Sequence, residues 1–336
     1  MSAVSDLEAQ LRAQGVIPAD APAASEQTTD RPWFVALLQG VAGWLAGIFL
    51  LVFAGMTLKL ESGVALFLLG APLLAAAWFM YHADRHAVFL DQFALAMSIA
   101  GQIALTASVN MHHGTGLSIA ATALIVQLIV LSVMPNKAAR TLAALFAAIA
   151  WIYTARFLLL PASADDLVFG EGGHALAYRG WMIPVRWLLT WIPLLALAHW
   201  LIRQESRWMA SKLRVFARPM LTGLLLALPL GGLEATAINP LGFAVQPVAM
   251  PLTWWALFPL LNVALCMYAA YAAFLIRSNW LSGSAVLGAM LHLSTFYYLY
   301  GTTLMWKSLI MASAGVALLI AGVALEHRKP GSGGTT

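Results

Sequence analysis

The sequence predicts an all-α protein, a polytopic membrane bundle of about ten transmembrane helices with both termini in the cytoplasm. Three observations predict it: composition, the lengths of the apolar runs, and the uneven distribution of Lys and Arg. Of 336 residues, 61% are hydrophobic and only 10% charged, and the mean hydropathy is +0.82. A soluble domain carries about 25% charged residues. The net charge of +4 and the 13 Trp suit basic loops and interfacial indoles and do not point to nucleic acid. The single cysteine, Cys266, lies in an apolar run and excludes an intramolecular disulfide framework.

Residues 1–31 differ in kind from the rest. Ser5 and Glu8 have capping-box spacing, Leu7 and Leu11 share a face, and Gly15 can end a turn, so a short amphipathic helix over 5–14 is expected. An Ala/Pro/Ser/Thr-rich tether over 18–31 follows. The membrane bundle is expected over 32–326, and a disordered cytoplasmic tail over 327–336. A spanning helix needs about 20 apolar residues. That rule places spans near 33–57, 64–81, 93–109, 117–134, 142–160, 183–202, 219–238, 252–276, 283–300 and 303–325. The seventh is weakened by Pro229, Gly231 and Gly232. Gly43 and Gly47, four apart, allow close helix packing. Two groups of five spans raise the question of an inverted repeat, which Pro72 and Pro229 in the second and seventh spans suit and which Pro193 and Pro259, lacking first-half counterparts, speak against.

Basic residues test the segmentation independently. Arg12, Arg31, Arg85, Lys137, Arg140, Arg203, Arg207, Lys212, Arg214, Arg218, Arg277, Arg328 and Lys329 fall on one side, against Lys59 and Arg179 on the other. This positive-inside bias puts both termini in the cytoplasm. The other three, Arg156, Arg186 and Lys307, lie inside spans, each about one turn below the outer surface. Glu234 lies at a similar depth. Two readings stand: separate snorkelling to headgroups, or a shared polar vestibule facing the periplasm. Cation–π contact of Lys307 with Phe296 or Tyr297 is a third, local option.

The histidines divide in the same way. His82 and His86, with Asp84 and Asp91 nearby, lack a third strong ligand, so no metal is expected. His112 and His113 sit in a short outer loop, where they are candidates for proton or ligand handling or for helix capping. His292, near mid-membrane, is a candidate proton relay or, on the plainer reading, a buried imidazole bonded to a neighbouring helix. Gln102, Gln127 and Asn262 are expected to join helices by hydrogen bonds. In 203–218, Arg203, Arg207, Arg214 and Arg218 share one face opposite Trp208, Met209, Leu213, Val215 and Phe216. That pattern predicts an interfacial helix on anionic lipid headgroups, with Lys212 snorkelling. The longest outer connection, 161–182, is a candidate lid or docking loop. No nucleophile elbow, zinc-protease motif or phosphate-binding glycine loop occurs, and no cofactor is expected.

The stretches "RPWFVALLQGVAGWLAGIFLL" (31–51) and "YYLYGTTLMWKSLIMASAG" (297–315) resemble the two ends of the bacterial membrane family DUF4401. The matching positions are Pro32, Trp33, Phe34, Val35, Gly43, Trp44, Leu45, Ala46, Lys307 and Ser308. The resemblance implies coverage of nearly the whole chain and a multi-pass inner-membrane protein. It also implies a small membrane partner bearing a Gly-Asp-Tyr signature, and it brings no catalytic residues. Two functions follow as expectations: a non-enzymatic subunit or scaffold of an envelope complex, or a carrier for an anionic or zwitterionic solute.

Overall fold

A computed structural model describes Gln14 and residues 33–58, 62–83, 88–109, 115–159, 182–231, 252–299 and 303–327. Its helices are α1 (Trp33–Leu58), α2 (Gly63–Ala83), α3 (Val88–Ser108), α4 (Gly116–Val133), α5 (Lys137–Leu159), α6 (Met182–Met209), α7 (Arg214–Gly231), α8 (Leu252–Leu275), α9 (Asn279–Leu299) and α10 (Leu304–His327). No strand occurs among the described residues. Each helix overlaps one expected span. Gly63–His82, Phe89–Ser108, Gly116–Val133 and Lys137–Ala155 are long and apolar enough to cross a membrane. The amino-terminal amphipathic helix lies outside the described residues.

Short connections fix the helix starts. Ser62 Oγ accepts from the Ala65 amide, Thr115 Oγ1 from Ser118, and Asn136 Oδ1 from Ala138 and Ala139, so each caps the helix that follows. At the α8–α9 turn, Arg277 adopts a φ of 56°. The Ser278 amide there reaches the Ala273 carbonyl at 2.9 Å, which closes the end of α8.

The 203–218 segment is not the single interfacial helix its charge pattern predicts. Residues 203–209 continue α6, and α7 begins at Arg214. Arg, Gln, Glu and Met keep good helix propensity, so the polar run prolongs the helix. The break comes at Ser211, whose hydroxyl donates to the Trp208 carbonyl and accepts from the Leu213 amide. Such side-chain bonds compete with the helical ladder. Pro229 does not interrupt α7, which runs on to Gly231.

Helix α5 sits between two cores. Leu73, Ala77, Met97, Val130 and Ala143 belong to a cluster built by α2, α3, α4 and α5. Trp191, Leu221, Leu225, Ala272 and Leu281 belong to one built by α5, α6, α7, α8 and α9. Leu142 and Met220 pack against both. In lipid, helices gain little from burying apolar surface against each other and rely on close packing instead. The glycines supply it. A Cβ on Gly43 would come within 2.9 Å of the Phe89 carbonyl oxygen, and one on Gly47 within 2.6 Å of the Ala96 Cβ, so the 43/47 spacing seats α1 on α3. Gly70 and Gly101 face each other, and a Cβ on either would lie 2.8–2.9 Å from the other's carbonyl oxygen. The helix neighbours of the first five are not repeated in the second five: α1 packs closely on α3, but α6 and α8 share no comparable seam among the described residues.

Candidate functional site

The bundle has a basic end, where α2–α3, α4–α5, α6–α7 and α8–α9 connect, and an opposite, sparse end. Between them, near the middle of the bundle, α3 and α4 carry the expected polar link. Gln127 Nε2 donates to Gln102 Oε1 at 2.8 Å, and Gln102 Nε2 donates to Ser98 Oγ at 3.0 Å. All three side chains are buried. Beside this chain lies a cleft of about 570 Å³ lined by Ile99, Gln102, Ile103 and Thr106 of α3, Ile119 and Gln127 of α4, and Phe146 of α5. Its walls are apolar apart from Gln102, Gln127 and Thr106.

A second polar cluster sits at the basic end. Arg140, only 8% exposed in the first turn of α5, donates through Nη1 to the Val215 carbonyl at 3.1 Å. Its guanidinium lies 4.3 Å from the centre of the Phe216 ring. One turn earlier, Asn136 caps α5 and approaches Asp91 Oδ1 at 3.5 Å. This cluster ties α5 to α7 and brings α3 within reach. Charge counting had placed Arg140 with the loop arginines. The signal that it belongs to a packed helix start was local: the Pro135-Asn136 boundary and the two alanines that follow Lys137.

His292 is fully buried in α9, and its Nε2 faces the Pro229 carbonyl of α7 at 3.1 Å. A carbonyl only accepts, so Nε2 carries the hydrogen. The arrangement is the interhelical bond of the plainer reading. His82 Nδ1 lies 2.8 Å from the carbonyl of Trp78 on its own helix. Among the described residues, no group of three His, Cys, Asp or Glu stands close enough to hold a metal.

The expected outer layer is only partly visible. Arg156, Arg186 and Lys307 occupy the last or first turns of α5, α6 and α10 at the sparse end. Lys307 is half-buried, and the side chains of Arg156 and Arg186 lie outside the described residues, as do Glu234, His112, His113 and the side chains of Phe296 and Tyr297. Helices α5 and α6 pack together, whereas α10 meets the bundle where Met311 joins Val263, Cys266, Ala289 and Leu293. Arg203, Arg207, Arg214 and Arg218 are all exposed at the basic end, and Arg218 Nε lies 2.8 Å from a Glu205 carboxylate oxygen.

No curated protein and no solved structure matches the chain. A family profile does match, over residues 32–257. That stretch holds the Pro32–Ala46 motif and ends before α9 and α10. Coverage is therefore shorter than the resemblance implied, and the Lys307-Ser308 stretch lies beyond it. The match still takes in well over half of the sequence, and the chain belongs to the DUF4401 family, a domain of unknown function.

Proposed function

We propose that the protein is a non-catalytic subunit of a membrane complex, crossing the bacterial cytoplasmic membrane ten times with both ends in the cytoplasm. The observation that carries the reading is α10. Leu304, Met305, Leu309, Val316, Leu319 and Ile320 are all exposed, and a Cβ on Gly315 would meet open space. Apart from the Met311 contact, this helix shares no extended seam with a described neighbour. A helix with so little packing against its described neighbours is well placed to pack against a helix of another chain, because small residues and close contact are what hold helices together in lipid. The partner implied by the family resemblance is a small membrane protein with a Gly-Asp-Tyr signature. Exposed Arg203, Arg207 and Arg214 suit anionic headgroups at the cytoplasmic face.

Purification of the full chain from native membranes in a mild detergent tests this reading. A stoichiometric second membrane protein is the expected result. A chain that purifies alone and drives solute uptake in reconstituted vesicles supports the carrier reading instead. That second reading rests on Arg156, Arg186, Lys307 and Glu234, which the sequence puts about one turn inside the outer ends of their expected spans.

A further inference from the structure

We infer that the outward face of α6 holds one anionic phospholipid, its phosphate between Arg203 and Arg207 and an acyl chain along the apolar part of the same face. The helix runs unbroken from Met182 to Met209. Ile192, Ala196, Trp200, Arg203 and Arg207 fall within about 80° of one another around it, and all five are exposed. Trp191, Leu194, Ala198 and Leu201 lie on the opposite side, buried in the core. Over about 22 Å, one face thus passes from aliphatic side chains to an indole and then to two guanidinium groups. A phospholipid presents its acyl chain, interface and phosphate in the same order, and indoles and basic side chains match the last two levels.

The charges on this stretch are sorted by side. Glu205 is the one acid within 192–218. It falls on the bundle side of α6, where its side chain is 17% exposed and accepts from Arg218 of α7 at 2.8 Å. Arg218 is committed to that carboxylate, and the outward face carries positive charge alone. Arg203 and Arg207 stand one turn apart, about 6 Å along the axis, so both guanidinium groups reach one phosphate. Trp200, whose ring meets that of Trp208 edge-on at 5.5 Å, marks the interfacial level one turn before Arg203. The apolar continuation of the face favours a lipid over a free phosphate or an acidic protein segment, neither of which would cover it. The inference rests on the membrane placement of α6 given above and not on the subunit role.

The test uses the full chain, delipidated in mild detergent, with phosphatidylglycerol and phosphatidylcholine of identical acyl chains, and native mass spectrometry reads the lipid retained. Phosphatidylglycerol should be preferred about five- to thirtyfold, the factor that one or two arginines near a membrane surface supply. Arg207→Gln should lower that preference about fivefold, and the double change with Arg203→Gln should abolish it. Arg218→Gln, at a residue already held by Glu205, should leave it unchanged. Arg207→Gln alone decides the matter if the double variant fails to fold. Soluble glycerophosphate should not displace the lipid. Equal falls for Arg207→Gln and Arg218→Gln would overturn the proposal in favour of a diffuse attraction of the whole basic end, and displacement by glycerophosphate would overturn it in favour of a free-phosphate site. No preference between the two lipids, with binding of polyglutamate through Arg203 and Arg207, would make the face a protein-docking surface instead. Purification without a second membrane protein would sink the subunit reading and leave this lipid site standing.

Discussion

Replacing Arg140 with Met should destabilise the bundle by removing the tie between α5 and α7 while keeping most of the apolar stem. The guanidinium contributes a charge-assisted bond to the Val215 carbonyl at 3.1 Å, worth about 1.5–3 kcal/mol. It also makes a cation–π contact with Phe216 at 4.3 Å, worth up to about 2 kcal/mol when desolvated. Against this, methionine needs no solvation for a buried charge, a relief that can cancel much of the loss. The net effect should be about 1–3 kcal/mol of destabilisation. Equilibrium unfolding in mixed micelles, followed by tryptophan fluorescence, measures it. A cycle with Phe216→Leu isolates the ring contact, for which coupling of about 0.5–2 kcal/mol is expected. Arg140→Lys should fall between parent and Met, because an ammonium keeps the charge but loses the planar fork. If Arg140→Met is as stable as the parent, or the two single effects simply add, Arg140 is a solvated basic-end charge and the tie does not exist.

Three further outcomes follow from particular contacts. Gly101→Leu should cost about 1–3 kcal/mol or more, because its Cβ would press on the Gly70 backbone, which cannot move aside; Gly283→Ala, facing open space within α9, is the control and should cost nothing in the same unfolding assay. His292→Leu should lose about 0.5–1.5 kcal/mol with its bond to Pro229, and His292→Gln should recover part of it; identical stability for the two would refute the bond's contribution. Cysteines at Thr115 and Ser163 should react with an impermeant thiol reagent from outside the cell and one at Ala138 should not, and the reverse pattern would invert the topology.

The helices were legible because lipid leaves the backbone little choice: an apolar run of about 20 residues must satisfy its own amides, and a helix does so. The Gly43/Gly47 seam and the buried histidine were legible for a related reason, since small or polar residues in such a run have few other uses. What composition could not give was pairing. Gln102 and Gln127 read as helix-joining types, but nothing in the sequence says that they meet each other or that a cleft opens beside them. The charge count puts Arg140 on the basic side, but it records sign and side, not burial, so the contact with α7 was out of its reach. The α6 extension was misread because an arginine stripe has the same period on a lipid surface as on a helix that simply continues. The four-residue outer layer rests on depth alone, and depth does not bring α10 to α5 and α6.

The subunit reading is tested most directly at Leu319, 68% exposed on α10. A photoreactive amino acid placed there in the full chain, and activated in intact cells, should yield one adduct of fixed mass containing a different, small membrane protein. The same group at Leu225, buried in the α7 core, should yield none. Adducts with lipid alone at Leu319, or with a second copy of this chain, would contradict the account.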